Sequence, residues 1–160
     1  MTTAAMVGAG LIGRSWAMVF ARAGWRVRLF DNVASQLDAA REHIARGLAE
    51  QQQYGLADDA AAAFARVEYV TDLEQALAGV DWVQENAPEV LDIKRELYPR
   101  IDRAAPKAAI IASSTSAIPA SRFTETLAGR ARCLVAHPVN PPHLVPVVEL
   151  CGAPWTDAAT

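Results

Sequence analysis

The chain has 160 residues, of which 52% are hydrophobic and 21% charged, a balance that suits one globular domain with its own core and excludes a disordered chain. A formal net charge of −3 gives no general attraction to phosphate backbones or anionic lipid, so no nucleic-acid or membrane partner is expected. The sequence has no stretch of about 20 apolar residues, which argues against a membrane-spanning helix.

In chain order, Ala4 to Val7 is a short apolar run ended by Gly8 and reads as a buried strand. Leu11 to Ala23 carries apolar residues around most of a helical circumference, with Gly24 as its stop. Arg26 to Phe30 is a second strand with Asp31 at its tip, and Ala34 to about Gln53 a long helix with Leu37, Ile44 and Leu48 as its apolar stripe. A further helix is expected from Ala57 to about Ala65, then a third strand from Val67 to Val70. Asp72 caps a short helix to Leu77, and Asp81 to Glu85 is the fourth strand. Val90 to about Arg103 reads as helix and Ala108 to Ala112 as a buried fifth strand. Pro119 to Leu127 reads as a helix or helical turn, Cys133 to Ala136 as the sixth strand, and Val145 to Leu150 as the last, after a proline-rich loop. Strands alternating with crossover helices imply an α/β fold, a Rossmann-type, doubly wound and mostly parallel sheet spanning residues 1–160 as one domain.

Met1 to Ala5 contains no basic leader, so no signal peptide is expected. Cys133 and Cys151 form no CxxC and no disulfide framework; they read as reduced residues in or near strands, which fits a cytoplasmic protein. His43 reads as a solvated helix residue, His143 as loop surface with a substrate contact as the alternative, and Trp16, Trp82, Met6 and Met18 as packing. Glu42, Arg46 and Glu50 have the i, i+4 spacing of ordinary surface support.

Gly8-Ala9-Gly10-Leu11-Ile12-Gly13 is a G-x-G-x-x-G turn between the first strand and the first helix. Gly8 permits the tight turn, Gly10 lets the backbone approach a pyrophosphate, and Gly13 lets the helix pack close to the strand. The helix start, at Leu11 and Ile12, offers free N–H groups and a positive dipole end to phosphates. The motif alone is weak evidence; its place between strand and helix, with an acidic residue about 20 positions on at Asp31, makes it a dinucleotide site. The Asp31 carboxylate can accept ribose hydroxyls and would repel a 2′-phosphate, so NAD is expected rather than NADP. Arg28, three residues earlier, reads as a solvated charge at the strand edge.

His137 lies at the C-terminal tip of a buried strand, the edge where ligands bind in open α/β sheets. Pro138, Pro141, Pro142 and Pro146 stiffen the loop after it and allow reversal, which brings Glu149 toward the imidazole. From spacing alone the two are either a general base with its orienting carboxylate or a capped strand-end histidine beside a satisfied core glutamate. Ser113-Ser114-Thr115-Ser116, at the same sheet edge, either bind a substrate oxygen or cap the following helix.

His137-x-x-Asn140-Pro141 with Glu149 twelve residues after the histidine, and Ser116 lying 21 residues before it, resembles the signature of the 3-hydroxyacyl-CoA dehydrogenase superfamily. The resemblance covers nearly the whole chain. It implies hydride transfer between a substrate 3-hydroxyl carbon and NAD, with His137 as base, Glu149 orienting it, and Ser116 and Asn140 binding the reacting oxygen and aligning the nicotinamide. It also implies cofactor contacts from Asn86, Glu89 and Lys94 in the segment after the fourth strand.

Two departures from the family pattern stand out. An ungapped count from Asp31 puts Gly47 and Tyr54 where the family's helix after the second strand carries the basic and hydroxyl groups that hold CoA. With only Arg41 and Arg46 nearby, the resemblance then favours a small free L-3-hydroxy acid, such as the sugar acid L-gulonate, over a CoA thioester. Carnitine, a 3-hydroxybutyryl-CoA substrate, and a non-catalytic NAD(H)-binding structural module remain as alternatives. The second departure is length: the family adds a C-terminal helical domain that these 160 residues do not contain. NAD binding is therefore expected here, with half the substrate pocket and the homodimer interface of the full-length form lying beyond.

Overall fold

The computed structural model describes all residues, 1–160. Its strands are β1 (Thr3–Val7), β2 (Arg26–Phe30), β3 (Val67–Val70), β4 (Trp82–Glu85), β5 (Ile110–Ser113), β6 (Cys133–Pro138) and β7 (Val148–Gly152). They form one sheet in the order β3-β2-β1-β4-β5-β6-β7. β1 to β6 are parallel and β7 returns antiparallel to β6. The helices are α1 (Leu11–Arg22), α2 (Ala34–Gln53), α3 (Ala60–Ala65), α4 (Leu73–Leu77), α5 (Leu91–Ala104) and α6 (Ser121–Thr124). No helix is long and apolar enough to cross a membrane.

Each face of the sheet is covered because β1 has no polar face: all five of its residues are buried. On one side Met6, Trp16, Leu29, Ile44 and Leu48 pack α1, α2 and α3 onto the sheet. On the other, Val83, Tyr98, Ile101, Ile111 and Phe123 pack α4, α5 and α6. The apolar stripe Leu37, Ile44 and Leu48 of α2 is buried, each such side chain contributing about 1.5–3 kcal/mol. The chain winds from β1 outward to β3, then crosses to β4 on the other side of β1. This reversal opens a crevice at the C-terminal ends of β1 and β4, where open α/β sheets bind ligands.

Several boundaries differ from the sequence expectation. α3 begins at Ala60 rather than Ala57, because Asp59 takes the N-cap and accepts from the Ala62 N–H at 2.8 Å. β5 begins two residues late, since the Ala109 N–H is bonded to Pro106 O in a turn. The helix expected over Pro119 to Leu127 shrinks to α6. β6 runs on past Ala136 to Pro138, which keeps His137 at the C-terminal tip of the strand. β7 starts three residues later than Val145, because the N–H groups of Leu144 and Val145 both bond to Pro141 O and hold that stretch as loop. Cys133 and Cys151 are both free, in β6 and β7. Glu42, Arg46 and Glu50 form no ion pair with one another.

Candidate NAD site and catalytic cleft

Gly8 leaves β1 at φ 103°, a left-handed conformation that only glycine adopts cheaply, with its N–H on Phe30 O. A side chain at Gly13 would meet Gly8 O at 1.8 Å, so its absence lets α1 begin directly against the turn. Gly10 faces open space and has no side chain to cap the helix. The first bond into the helix is from the Arg14 N–H to Gly10 O, which leaves the amides of Leu11, Ile12 and Gly13 free. A backbone approachable at Gly10 beside free helix-start amides fits a pyrophosphate. The Leu11 side chain itself is exposed, while Ile12 lines the cleft.

Asp31 continues from β2 and accepts the N–H groups of Ala9 (2.9 Å) and Val33 (3.0 Å). It therefore braces the glycine turn as well as facing a cavity of about 710 Å³ that it lines with Gly8, Gly10, Asn32 and Asn86. Arg28 is not a free neighbour of this cavity; it is held by Gln75 O, Ala78 O and the Glu68 carboxylate.

A smaller cavity of about 280 Å³ shares Asn86 and Ala87 with the first and is lined by Ser116, His137 and Asn140. His137 and Glu149 are directly opposite each other on β6 and β7, and Nδ1 lies 2.8 Å from the carboxylate Oε2. With Nδ1–H donating to Glu149, the neutral ring presents Nε2 as a lone-pair acceptor.

Asn86 is positioned by a half-buried network. Its Oδ1 accepts the Ser114 hydroxyl at 2.7 Å, while Ser114 accepts from Trp16 Nε1 (3.1 Å) and Gln84 Nε2 (2.8 Å). Glu89 braces the Ser116 loop, accepting the Thr115 hydroxyl (2.6 Å) and the N–H groups of Ser116 (3.0 Å) and Ala117 (2.9 Å). Partial burial would raise the Glu89 pKa, but these donors and the Lys94 charge outweigh it and hold the carboxyl below its ordinary value. None of the hydroxyl run caps α6, whose N-cap is Ala120.

Lys94 is corrected. The expected cofactor contact is replaced by a buried ion pair: the side chain is 1% exposed, with Nζ 2.9 Å from both Glu85 carboxylate oxygens. Ser113 adds a 2.5 Å bond to Glu85, and Glu89 lies 3.9 Å from the ammonium. Lys94 thus acts from beneath the cleft. Glu85 ends a strand that carries Gln84 and follows Asp81, so nothing in the sequence marks it out as the partner of Lys94. His143 is also corrected: it is half-buried, with Nδ1 3.2 Å from the Ser15 hydroxyl, and lines a third cavity. Trp82 is only half-buried, at the core margin.

Crossover topology, the glycine turn and the acidic residue at the end of β2 define a Rossmann-type dinucleotide-binding domain of the kind dehydrogenases carry. The chain belongs to the 3-hydroxyacyl-CoA dehydrogenase family: the model of that family's NAD-binding domain matches residues 3–160. Its cofactor is accordingly NAD. It is 39% identical to lambda-crystallin of Oryctolagus cuniculus over 97% of this chain and 50% of that protein. It is 40% identical to L-carnitine dehydrogenase of Streptomyces coelicolor over 97% of this chain and 48% of the relative. It superposes on the crystal structure of 3-hydroxybutyryl-CoA dehydrogenase from Escherichia coli with a TM-score of 0.93 at 29% identity, covering 99% of this chain and 34% of the other. The chain spans about half the length of these curated relatives.

Proposed function

We propose that this domain serves NAD-dependent oxidation of the 3-hydroxyl of a small free L-3-hydroxy acid such as L-gulonate. The observation that carries the reading is the His137–Glu149 pair, 2.8 Å apart, on a cavity shared with Ser116 and Asn140 and joined to the Asp31 cavity through Asn86. Bound NAD⁺ supplies the hydride acceptor. His137 Nε2 takes the hydroxyl proton, and Glu149 stabilises the imidazolium that forms. Ser116 and Asn140 donate to the oxygen as negative charge develops on it. Gly8, Gly10 and the amides from Leu11 to Gly13 hold the pyrophosphate, Asp31 the ribose, and Asn86 and Glu89 shape the nicotinamide end.

The preference for a free acid rests on the region where a CoA grip would lie. Gly47 packs beside the Met18 side chain and offers no basic or hydroxyl group to a CoA moiety. Tyr54 is 75% exposed beyond the helix, and Arg41 lies over the Tyr69 ring at 4.2 Å. A relative named L-carnitine dehydrogenase, at 40% identity, supports the same preference. The length by which the curated relatives exceed this chain is where the reading puts the rest of the substrate pocket and a homodimer interface.

The test is steady-state turnover of the full-length protein on L-gulonate, L-carnitine, 3-hydroxybutyrate and 3-hydroxybutyryl-CoA, with His137→Ala alongside. Loss of about 100-fold or more in kcat with NADH affinity kept is expected for the variant. Unchanged turnover would remove His137 as base, and NADH binding without turnover of any substrate would make the chain a structural NAD(H)-binding module.

A further inference from the structure

Asn86 stands between the cavity that Asp31 lines and the cavity that His137 lines, and it borders both. Ser114, the residue after β5, lies against it and donates its hydroxyl hydrogen to Asn86 Oδ1 at 2.7 Å. We propose that Ser114 is a positioning residue which, with Trp16 and Gln84, locks the Asn86 amide as a hydrogen-bond donor to an acceptor oxygen of the nicotinamide nucleoside. The inference rests on the reading above that the nicotinamide end of NAD reaches the His137 cavity.

The polarity of this network has one solution, because its ends are chemically fixed. Trp16 Nε1 can only donate, and it gives its hydrogen to Ser114 Oγ at 3.1 Å. Trp82 Nε1 likewise donates to Gln84 Oε1 at 3.0 Å, and the Ala136 carbonyl can only accept from Gln84 Nε2, at 3.2 Å. The Gln84 amide is therefore oriented, and its second Nε2 hydrogen goes to Ser114 Oγ at 2.8 Å. With both lone pairs taken, the Ser114 hydroxyl acts toward Asn86 as a donor. The Gln84 carbonyl closes the other side by accepting from Asn86 Nδ2 at 2.8 Å. Donor-only and acceptor-only groups thus hold the Asn86 amide in one orientation. Gln84 and Trp16 are buried, so water does not compete for these bonds.

Ser114 therefore has no hydrogen left for a substrate. Ser113 and Thr115 have likewise committed theirs, to Glu85 at 2.5 Å and Glu89 at 2.6 Å, so Ser116 is the member of the hydroxyl run free to meet the reacting oxygen. Asn86, in contrast, keeps one Nδ2 hydrogen with no partner inside the chain. A side chain at Gly13 would stand 3.3 Å from that nitrogen, so the amide lies against the start of α1. It is on the path from the free helix-start N–H groups to Ser116, His137 and Asn140. The part of a dinucleotide that runs from the pyrophosphate to the reacting ring is the nicotinamide nucleoside, whose ribose and carboxamide both present acceptor oxygens. A donor fixed before the cofactor arrives loses no side-chain freedom on binding.

The experiment is equilibrium titration with NADH, ADP-ribose and ADP of wild type, Asn86→Leu, Ser114→Ala, Ser114→Thr and the variant carrying both Asn86→Leu and Ser114→Ala. Asn86→Leu is expected to raise the NADH Kd about fivefold or more while the ADP Kd stays within about twofold of wild type. A loss shared by ADP-ribose puts the acceptor on the ribose, and a loss confined to NADH puts it on the carboxamide. Ser114→Ala is expected to raise the NADH Kd about threefold, and Ser114→Thr, which keeps a hydroxyl, to restore most of it. The double variant should bind NADH no more weakly than Asn86→Leu alone, because Ser114 acts through Asn86. Melting temperatures control for folding, and if Asn86→Leu does not fold, Asn86→Ser takes its place. An Asn86 variant that binds NADH like wild type, or that weakens ADP as much as NADH, overturns the donor assignment. Losses at Ser114 and Asn86 that multiply in the double variant overturn the positioning role. Wild-type protein that binds NADH no tighter than ADP overturns the reading of the nicotinamide end, and the inference with it.

Discussion

A single methyl group distinguishes two jobs within the glycine turn. At Gly13 an added Cβ would lie 1.8 Å from Gly8 O and 3.0 Å from its carbonyl carbon. Ordinary carbon–oxygen contacts begin at roughly 3.3 Å, so α1 would have to withdraw by about 1.5 Å from a backbone that cannot rotate aside. Overpacking of this kind costs about 1–3 kcal/mol, which lowers Tm by roughly 5–10 °C at the upper end for a domain of this size. At Gly10 the same methyl meets nothing within 4 Å, and the residue already has φ −65°. Gly10→Ala should therefore melt within about 2 °C of wild type. Its methyl occupies the approach to the pyrophosphate, and NADH Kd should rise about tenfold or more, roughly 1.4 kcal/mol or greater. Thermal melts and NADH fluorescence titration of both variants separate the two effects. A Gly10→Ala protein that binds NADH like wild type would refute the placement of the phosphates at this turn, and a Gly13→Ala protein of wild-type Tm would refute the packing argument.

Lys94→Met leaves Glu85, itself fully buried, without its counter-charge and should cost about 3–5 kcal/mol in a denaturant melt; a loss below about 1 kcal/mol would show that the pair carries no structural weight. The lowered Glu89 pKa contributes stability that is present in full above the unfolded carboxylate value of about 4.3 and is lost as pH falls through the lower folded value. The Tm gap between wild type and Glu89→Gln should accordingly narrow from pH 7 to pH 3, and a gap that widens in acid would contradict the brace on the Ser116 loop. Burial, aided by Asp102 and opposed by Arg132, pushes the Cys133 thiol up to about 12, so it stays protonated and inert at pH 8, whereas Cys151 is exposed on β7. Alkylation of the native protein at that pH should modify one thiol, Cys151, and the denatured protein two; labelling of Cys133 in the native state would argue against the packed β6 core.

The parts of the molecule legible from the chain alone are those dictated by local chemistry. Gly8 and Gly13 declare the turn because a side chain at either would strain the backbone or strike it, and Gly10 because it leaves the approach to the phosphates open. Leu37, Ile44 and Leu48 declare the buried face of α2 because helical geometry aligns them, and Asp72 declares a helix start because its carboxylate can take up the Gln75 N–H, as it does at 2.7 Å. Elements whose extent depends on a partner were harder to place. β5 and β7 begin where pairing with β4 and β6 permits, not where the apolar run begins, and α3 begins where Asp59 can cap it.

The site divides along the same line. Residue type and spacing determined that a nucleotide turn, an acidic strand end and a histidine with a trailing glutamate all belong to one sheet edge. Only the tertiary structure decided which polar groups are shared between elements distant in sequence. It took Lys94 out of the cleft and set it under Glu85, turned Glu89 toward the Ser116 loop, and brought His143 against Ser15 and Arg22 across more than a hundred residues. The reason is physical: a buried charge or hydrogen-bonding group must find its partner wherever packing places one, and that choice leaves no periodic mark in the chain.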